Sequence, residues 1–109
     1  MTTPVSPTPI TPTWDDVEDA LRDVIDPELG YNIVDLGLIY GIAVEGDRVG
    51  ITMTMTTRGC PAAEAIRDGV RERVSAVPGV REAEVEVVWI PPWSPAAMSA
   101  AAKSHFGFA

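Results

Sequence analysis

The chain has 109 residues, enough for one domain and too few for two independent cores. Sixteen acidic residues against eight basic ones give a formal net charge of −8, which argues against non-specific binding to nucleic-acid phosphates or to an anionic membrane surface, because both need an excess of Lys and Arg. Hydrophobic residues make up 46% of the chain in regular patterns, so it reads as globular, and a single cysteine rules out an intrachain disulfide.

No apolar run approaches the roughly 20 residues needed to span a membrane. The first residues show no basic stretch followed by an apolar one, so a reducing, cytoplasmic compartment is expected. Residues 1–13, MTTPVSPTPITPT, hold four of the ten prolines and no charged side chain. Proline withholds backbone donors and favours extended backbone, so this stretch reads as a disordered tail dispensable to the fold, with a single domain over 14–109.

Thr13 and Asp16 have the spacing of a capping box, with Asp in place of the usual Glu or Gln. Val17, Ala20, Leu21, Val24 and Ile25 recur at helical spacing and predict one buried face. Asp15, Asp16, Glu18 and Asp19 crowd the first turns, where the helix dipole favours negative charge. Pro27 disfavours helical geometry at Asp26 and is expected to stop the helix there.

The segment DPELGYNIVDLG reads as a loop. Leu38 to Val44 reads as a strand running to a turn at Glu45-Gly46-Asp47. From Arg48 to Thr56 the pattern alternates, with Val49, Ile51, Met53 and Met55 on one face and Thr52, Thr54 and Thr56 on the other. After Arg58-Gly59-Cys60-Pro61, helical spacing resumes at Ile66, Val70 and Val74 and ends at Pro78-Gly79. Pro61 suits a first helical position, which predicts Cys60 at or beside the N-cap. A third strand is predicted over Val80 to Ile90, with Ala83, Val85, Val87 and Trp89 opposing Glu82, Glu84 and Glu86. Ser94 and Pro95 are expected to open a last helix reaching His105, Phe106 and Phe108. The order helix, hairpin, helix, strand, helix predicts an α+β two-layer sandwich.

Cys60 is the sharpest chemical feature. A thiol at a helix N-terminus is favoured as thiolate, the reactive and metal-binding form, and Arg58 and Arg67 add positive potential. Residue type alone leaves the matter open, because a free cysteine is also a common inert core residue. One thiol cannot complete a four-coordinate zinc or cluster site, and the single histidine, His105, reads as a packing or surface residue. Asp26 and Glu28 by themselves read as solvated acids at a helix end. The glycines form neither a GxGxxG nor a phosphate-binding loop. Trp89 and Trp93 read as packing residues, with Trp93 in a proline-rich loop that can leave it partly exposed.

Four segments in order, DPELG, NIVDLGLIY, MTMTTRGCP and VVWIPPWSPAAMS, resemble the SufT-like metal–sulfur cluster assembly family, which also contains the phenylacetate-degradation protein PaaD. The resemblance spans about residues 14–107. It implies a fold similar to the C-terminal NifU-type domain and a part in iron–sulfur protein maturation. It also implies one site formed by Asp26, Glu28, Leu29, Thr56, Thr57 and Cys60, with Cys60 as the ligand to a transient iron–sulfur cluster. Two departures stand out: Ile90 replaces the Asp of a WDPPW segment, and the cysteine-rich tail of PaaD is missing. The function expected from this is a non-enzymatic assembly or carrier factor acting with client iron–sulfur proteins or other assembly factors. Because one chain supplies one thiolate, a homodimer is expected where a cluster is held. The alternatives are a structural adaptor with an inert Cys60 and a small thiol enzyme using Cys60 as nucleophile.

Overall fold

The structure is a computed structural model that describes residues 11–59 and 61–108. Most of the tail at 1–10 and Cys60 itself therefore lie outside the described residues. Along the chain come α1 (Trp14–Leu21), β1 (Ile25–Asp26), β2 (Tyr31–Asn32), β3 (Ile39–Glu45), β4 (Arg48–Met53), α2 (Ala63–Ser75), β5 (Glu82–Val87), a 3-10 turn (Pro95–Ala97) and α3 (Ala100–Phe106).

Thr13 caps α1 as its spacing predicts. Its hydroxyl accepts from the Asp16 amide at 3.0 Å, and the Asp16 carboxylate accepts from the Thr13 amide at 3.4 Å. Pro12, just before the cap, is buried, so the folded unit takes in the last residues of the proline-rich stretch. The helix ends at Leu21, earlier than Pro27 suggests. Tight turns at Asp23 and Val24, whose amides donate to Ala20 and Leu21 carbonyls, redirect the chain. Ile25 and Asp26 then pair antiparallel with Asn32 and Tyr31, a short ribbon inside a segment that reads as loop. The extended backbone that Pro27 imposes on Asp26 is met by a strand. Ile25 consequently leaves the helical face and stands 50% exposed, against the expectation of burial.

β3, β4 and β5 form a sheet in that order, β3–β4 antiparallel and β4–β5 parallel. The central strand buries Val49, Ile51 and Met53 on one face. That face is covered by α1, through Val17 and Leu21, and by α2, through Ile66, Val70 and Val74, which gives the expected α+β two-layer arrangement. The parallel β4–β5 pair needs a crossover, and α2 supplies it.

Two predicted strands are shorter in the structure, and a third keeps its length but shifts by one residue. β4 stops at Met53, β5 spans only Glu82–Val87, and β3 begins one residue late. Beyond Met53 the alternation fails: Thr54 is 0% exposed although its spacing puts it on the polar face, and Met55 beside it is also buried. The Thr54 amide donates to the Leu38 carbonyl at 2.8 Å and draws this segment into the core. At the C-terminal end, Ser94 and Pro95 open only the 3-10 turn. α3 begins later, capped by Ser99, whose hydroxyl accepts from the Ala102 amide at 3.2 Å.

That C-terminal segment is pinned to the 32–37 turn. The Trp93 indole donates to the Leu36 carbonyl at 2.7 Å, and the Ser99 amide donates to the Asp35 carbonyl at 2.8 Å. Trp93 is thereby half-buried and packed against the core, as is Trp89. Gly37, at φ +79°, allows this close approach: a Cβ there would lie 2.3 Å from the Ala97 carbonyl oxygen. His105 joins an aromatic cluster with Tyr31 and Phe106, at ring separations of 4.9 and 4.8 Å, as expected of a packing residue.

Two outcomes follow for stability. Thr13→Ala removes one half of the capping box and is expected to cost about 1 kcal/mol, lowering the melting temperature by about 5 °C in a calorimetric scan. Gly37→Ala should lower the melting temperature further than Gly46→Ala. Both residues have positive φ, but a Cβ at Gly46 meets nothing within 4 Å.

Candidate functional site

Asp26 is 2% exposed, so it is not the solvated acid that spacing alone suggests. Its Oδ1 accepts from the Glu28 amide at 2.8 Å and the Leu29 amide at 3.2 Å, while its carbonyl accepts from the Gly30 amide at 2.7 Å. The carboxylate thus folds the DPELG segment into a tight turn around itself, a local competition for backbone donors that short acidic side chains win readily. Glu28 projects from this turn to the surface, and Leu29 is half-buried against the core.

The chain leading into this turn packs on α2. Val24 lies 3.6 Å from the position a Cβ would take on Gly69. Pro27, between the two acids of the motif, shares a groove of about 370 Å³ with Ala65, Ile66 and Gly69. The structure therefore brings residues 23–27, the approach to the Asp26–Leu29 turn, alongside α2 from Ala65 to Arg73, the helix that follows Cys60 in the chain.

The loop from β4 into that helix carries the remaining candidates. Thr56 is half-buried and Thr57 exposed. Gly59 takes φ +71°, a left-handed conformation that reverses the chain just before Cys60. The helix begins at Ala63 with Ala62 as N-cap, so Pro61 precedes the cap instead of occupying the first helical position. Ala62 offers no side-chain acceptor, and among the described residues no side chain caps the first turn of α2. An unfilled helix N-terminus of this kind attracts negative charge. Among the described residues no three His, Asp or Glu side chains converge as a metal site.

Two features escape sequence reading. The buried Thr54 hydroxyl, two residues before Thr56, has no hydrogen-bonding partner among the described residues, and regular alternation hides that burial. Arg58 stacks its guanidinium over the Trp89 ring at 4.8 Å, a cation–π contact between residues far apart in the chain with no local signal.

Comparison with known proteins gives the family. The family described as iron–sulfur cluster assembly protein matches residues 14–87. The Fe-S protein maturation auxiliary factor YitW of Bacillus subtilis is 44% identical over 94 residues, covering 85% of this chain and 92% of its own. The Fe-S protein maturation auxiliary factor SufT of Staphylococcus aureus is 44% identical over 85 residues, covering 77% of this chain and 97% of its own. The crystal structure of a DUF59 domain from Bacillus anthracis superimposes with a TM-score of 0.81 at 48% identity, over 87% of this chain and 92% of that one.

Because Asp26 satisfies two backbone amides from inside the fold, Asp26→Ala is expected to destabilise the protein by about 1–3 kcal/mol, the cost of stranding buried donors. Asp26→Asn keeps a side-chain oxygen as acceptor and should cost less. Urea denaturation of the two variants side by side measures the difference.

Proposed function

The chain belongs to the iron–sulfur cluster assembly protein family, and on that premise we propose that it is a maturation factor that passes iron–sulfur clusters to client proteins and catalyses no reaction of its own. The observation that carries this reading is the start of α2. A thirteen-residue helix opens at Ala63, its N-cap Ala62 two residues beyond Cys60 and without a side-chain acceptor, and residues 23–27 pack along its flank. Amides and helix dipole there favour the thiolate of Cys60 and the net negative charge of a thiolate-bound cluster. The relatives named as Fe-S protein maturation auxiliary factors support the same role.

In this reading Cys60 is the cluster ligand and docking contact. Asp26 holds the turn, Glu28 presents a carboxylate from its surface, Leu29 anchors it in the core, and Thr56 and Thr57 supply hydroxyl hydrogen bonds to the cargo or client. The cluster is cargo, held transiently. Clusters of the two-iron and four-iron types take four protein ligands, usually thiolates. One thiolate per chain therefore requires a second copy, an external thiol or a client to complete the set. No described helix is long and apolar enough to cross a membrane, and we place this activity in the reducing cytoplasm, where a lone thiol persists.

The test has two arms. In cells lacking their own copy, the wild-type gene should restore the activity of iron–sulfur client enzymes and Cys60→Ala should not. Full restoration by Cys60→Ala would favour an adaptor with an inert cysteine. In anaerobic reconstitution with a small thiol, iron and sulfide should co-elute with a dimer, weakly, and be lost in Cys60→Ala. A stable cluster on a monomer would overturn the proposed role of this cysteine.

A further inference from the structure

A groove of about 490 Å³ runs between the N-terminal half of α2 and strand β5, on the side of the helix away from the Asp26 turn. Met55, Ala63, Val85, Val87 and Trp89 form its apolar lining, and Arg67 stands in its wall. Met55 and Ala63 bracket residues 56–62, so whatever lies in the groove lies beside the loop that carries Cys60.

The charges around it run against the rest of the molecule. The chain has twice as many acidic as basic residues, and Arg22, Arg48, Arg71, Arg73 and Arg81 each stand within 4 Å of a carboxylate. Among the described residues, Arg67 and Arg58 are the two arginines without such a partner. Arg67 lines this groove, and Arg58 lies over Trp89, which also lines it. Ile90, next after Trp89, is 85% exposed and adds apolar surface at that end. The one acid in the lining, Glu86, belongs to the strand.

We propose that this groove docks an acidic–apolar segment of a partner protein, its carboxylates on Arg58 and Arg67 and its apolar side chains on Val85, Val87 and Trp89. The inference rests on the maturation reading for the identity of the partner as a client or fellow assembly factor. Its chemistry rests on charge complementarity: two unpaired guanidinium groups over an apolar floor select carboxylates and apolar side chains together. In a chain of net charge −8 such a segment is repelled elsewhere, so the groove also supplies specificity by contrast.

The probe is a short synthetic peptide in which Glu and Asp alternate with Leu and Phe, with a counterpart carrying Lys at the acidic positions. Titrated into isotope-labelled full-length protein, the acidic peptide should shift the Trp89 indole and the Arg58 and Arg67 guanidinium signals, and the lysine peptide should not. Arg67→Glu should weaken binding about tenfold or more. Arg73→Glu, on the opposite side of α2 and paired with Asp23, should leave it unchanged, with both variants checked for a wild-type melting temperature. Equal binding of the lysine peptide, shifts centred on the Asp26 turn, or no binding would each overturn the assignment. So would concentration-dependent shifts without peptide, which would give the groove to a second copy of the chain. Failure of peptide binding together with loss of client activity in Cys60→Ala would remove the groove assignment alone and leave the maturation role standing.

Discussion

A three-stranded sheet with one apolar face has to be covered, and the way α2 covers it sets the rest of this molecule. The helix is the crossover between β4 and β5, so its length and direction are dictated by the parallel pairing of those strands. Its buried stripe of Ile66, Val70 and Val74 holds it on the sheet beside α1. The segment at 23–27 packs on one flank and β5 with Trp89 on the other. The loop between β4 and α2 is thus flanked by packed elements.

The polar atoms placed inside this arrangement differ in what they do. Asp26 would be a costly burial as an isolated carboxylate, but two amides at its own turn meet it, and the turn in exchange gains a fixed shape. Thr54 is a different case: its hydroxyl is enclosed without a partner among the described residues, while its amide bonds Leu38. An unpaired buried hydroxyl costs stability, and here it stands next to the loop that leads to the cysteine.

The distribution of charge carries a second layer of meaning. Acidic side chains dominate the surface and most arginines are neutralised by them in exposed pairs, which contribute little to stability. The stacked Arg58 and the unpaired Arg67 are the departures from that pattern, and both stand near the Cys60 loop. On the outer face of the sheet the strands instead present Gly50, Thr52, Glu82, Glu84 and Glu86 to solvent. The acidic row on the edge strand β5 discourages pairing with another sheet. The two faces of the sheet are therefore built for different purposes, one to be covered and one to stay bare.

Local chemistry by itself determined much of this. Thr13 and Asp16 three residues apart can satisfy each other's amides without help, so the start of α1 was legible. The period of Val49, Ile51 and Met53, and of Ile66, Val70 and Val74, fixed which faces are apolar, because burial acts on each element separately. The ordered motifs around Asp26 and Cys60 indicated the family. What depended on distant partners was not legible. Ile25 follows the helical period, yet pairing with Asn32 turned it outward. Thr54 follows the strand period, yet its bond to Leu38 drew it in. Pro95 had the signature of a helix start, but Gly37 and Leu36 from another segment set where the C-terminal chain docks. Asp26 read as a surface acid, yet it is buried with two amides of its own turn on its carboxylate. Periodicity reports the preference of one segment for water or its absence. Only the tertiary structure decides which other segment meets it there.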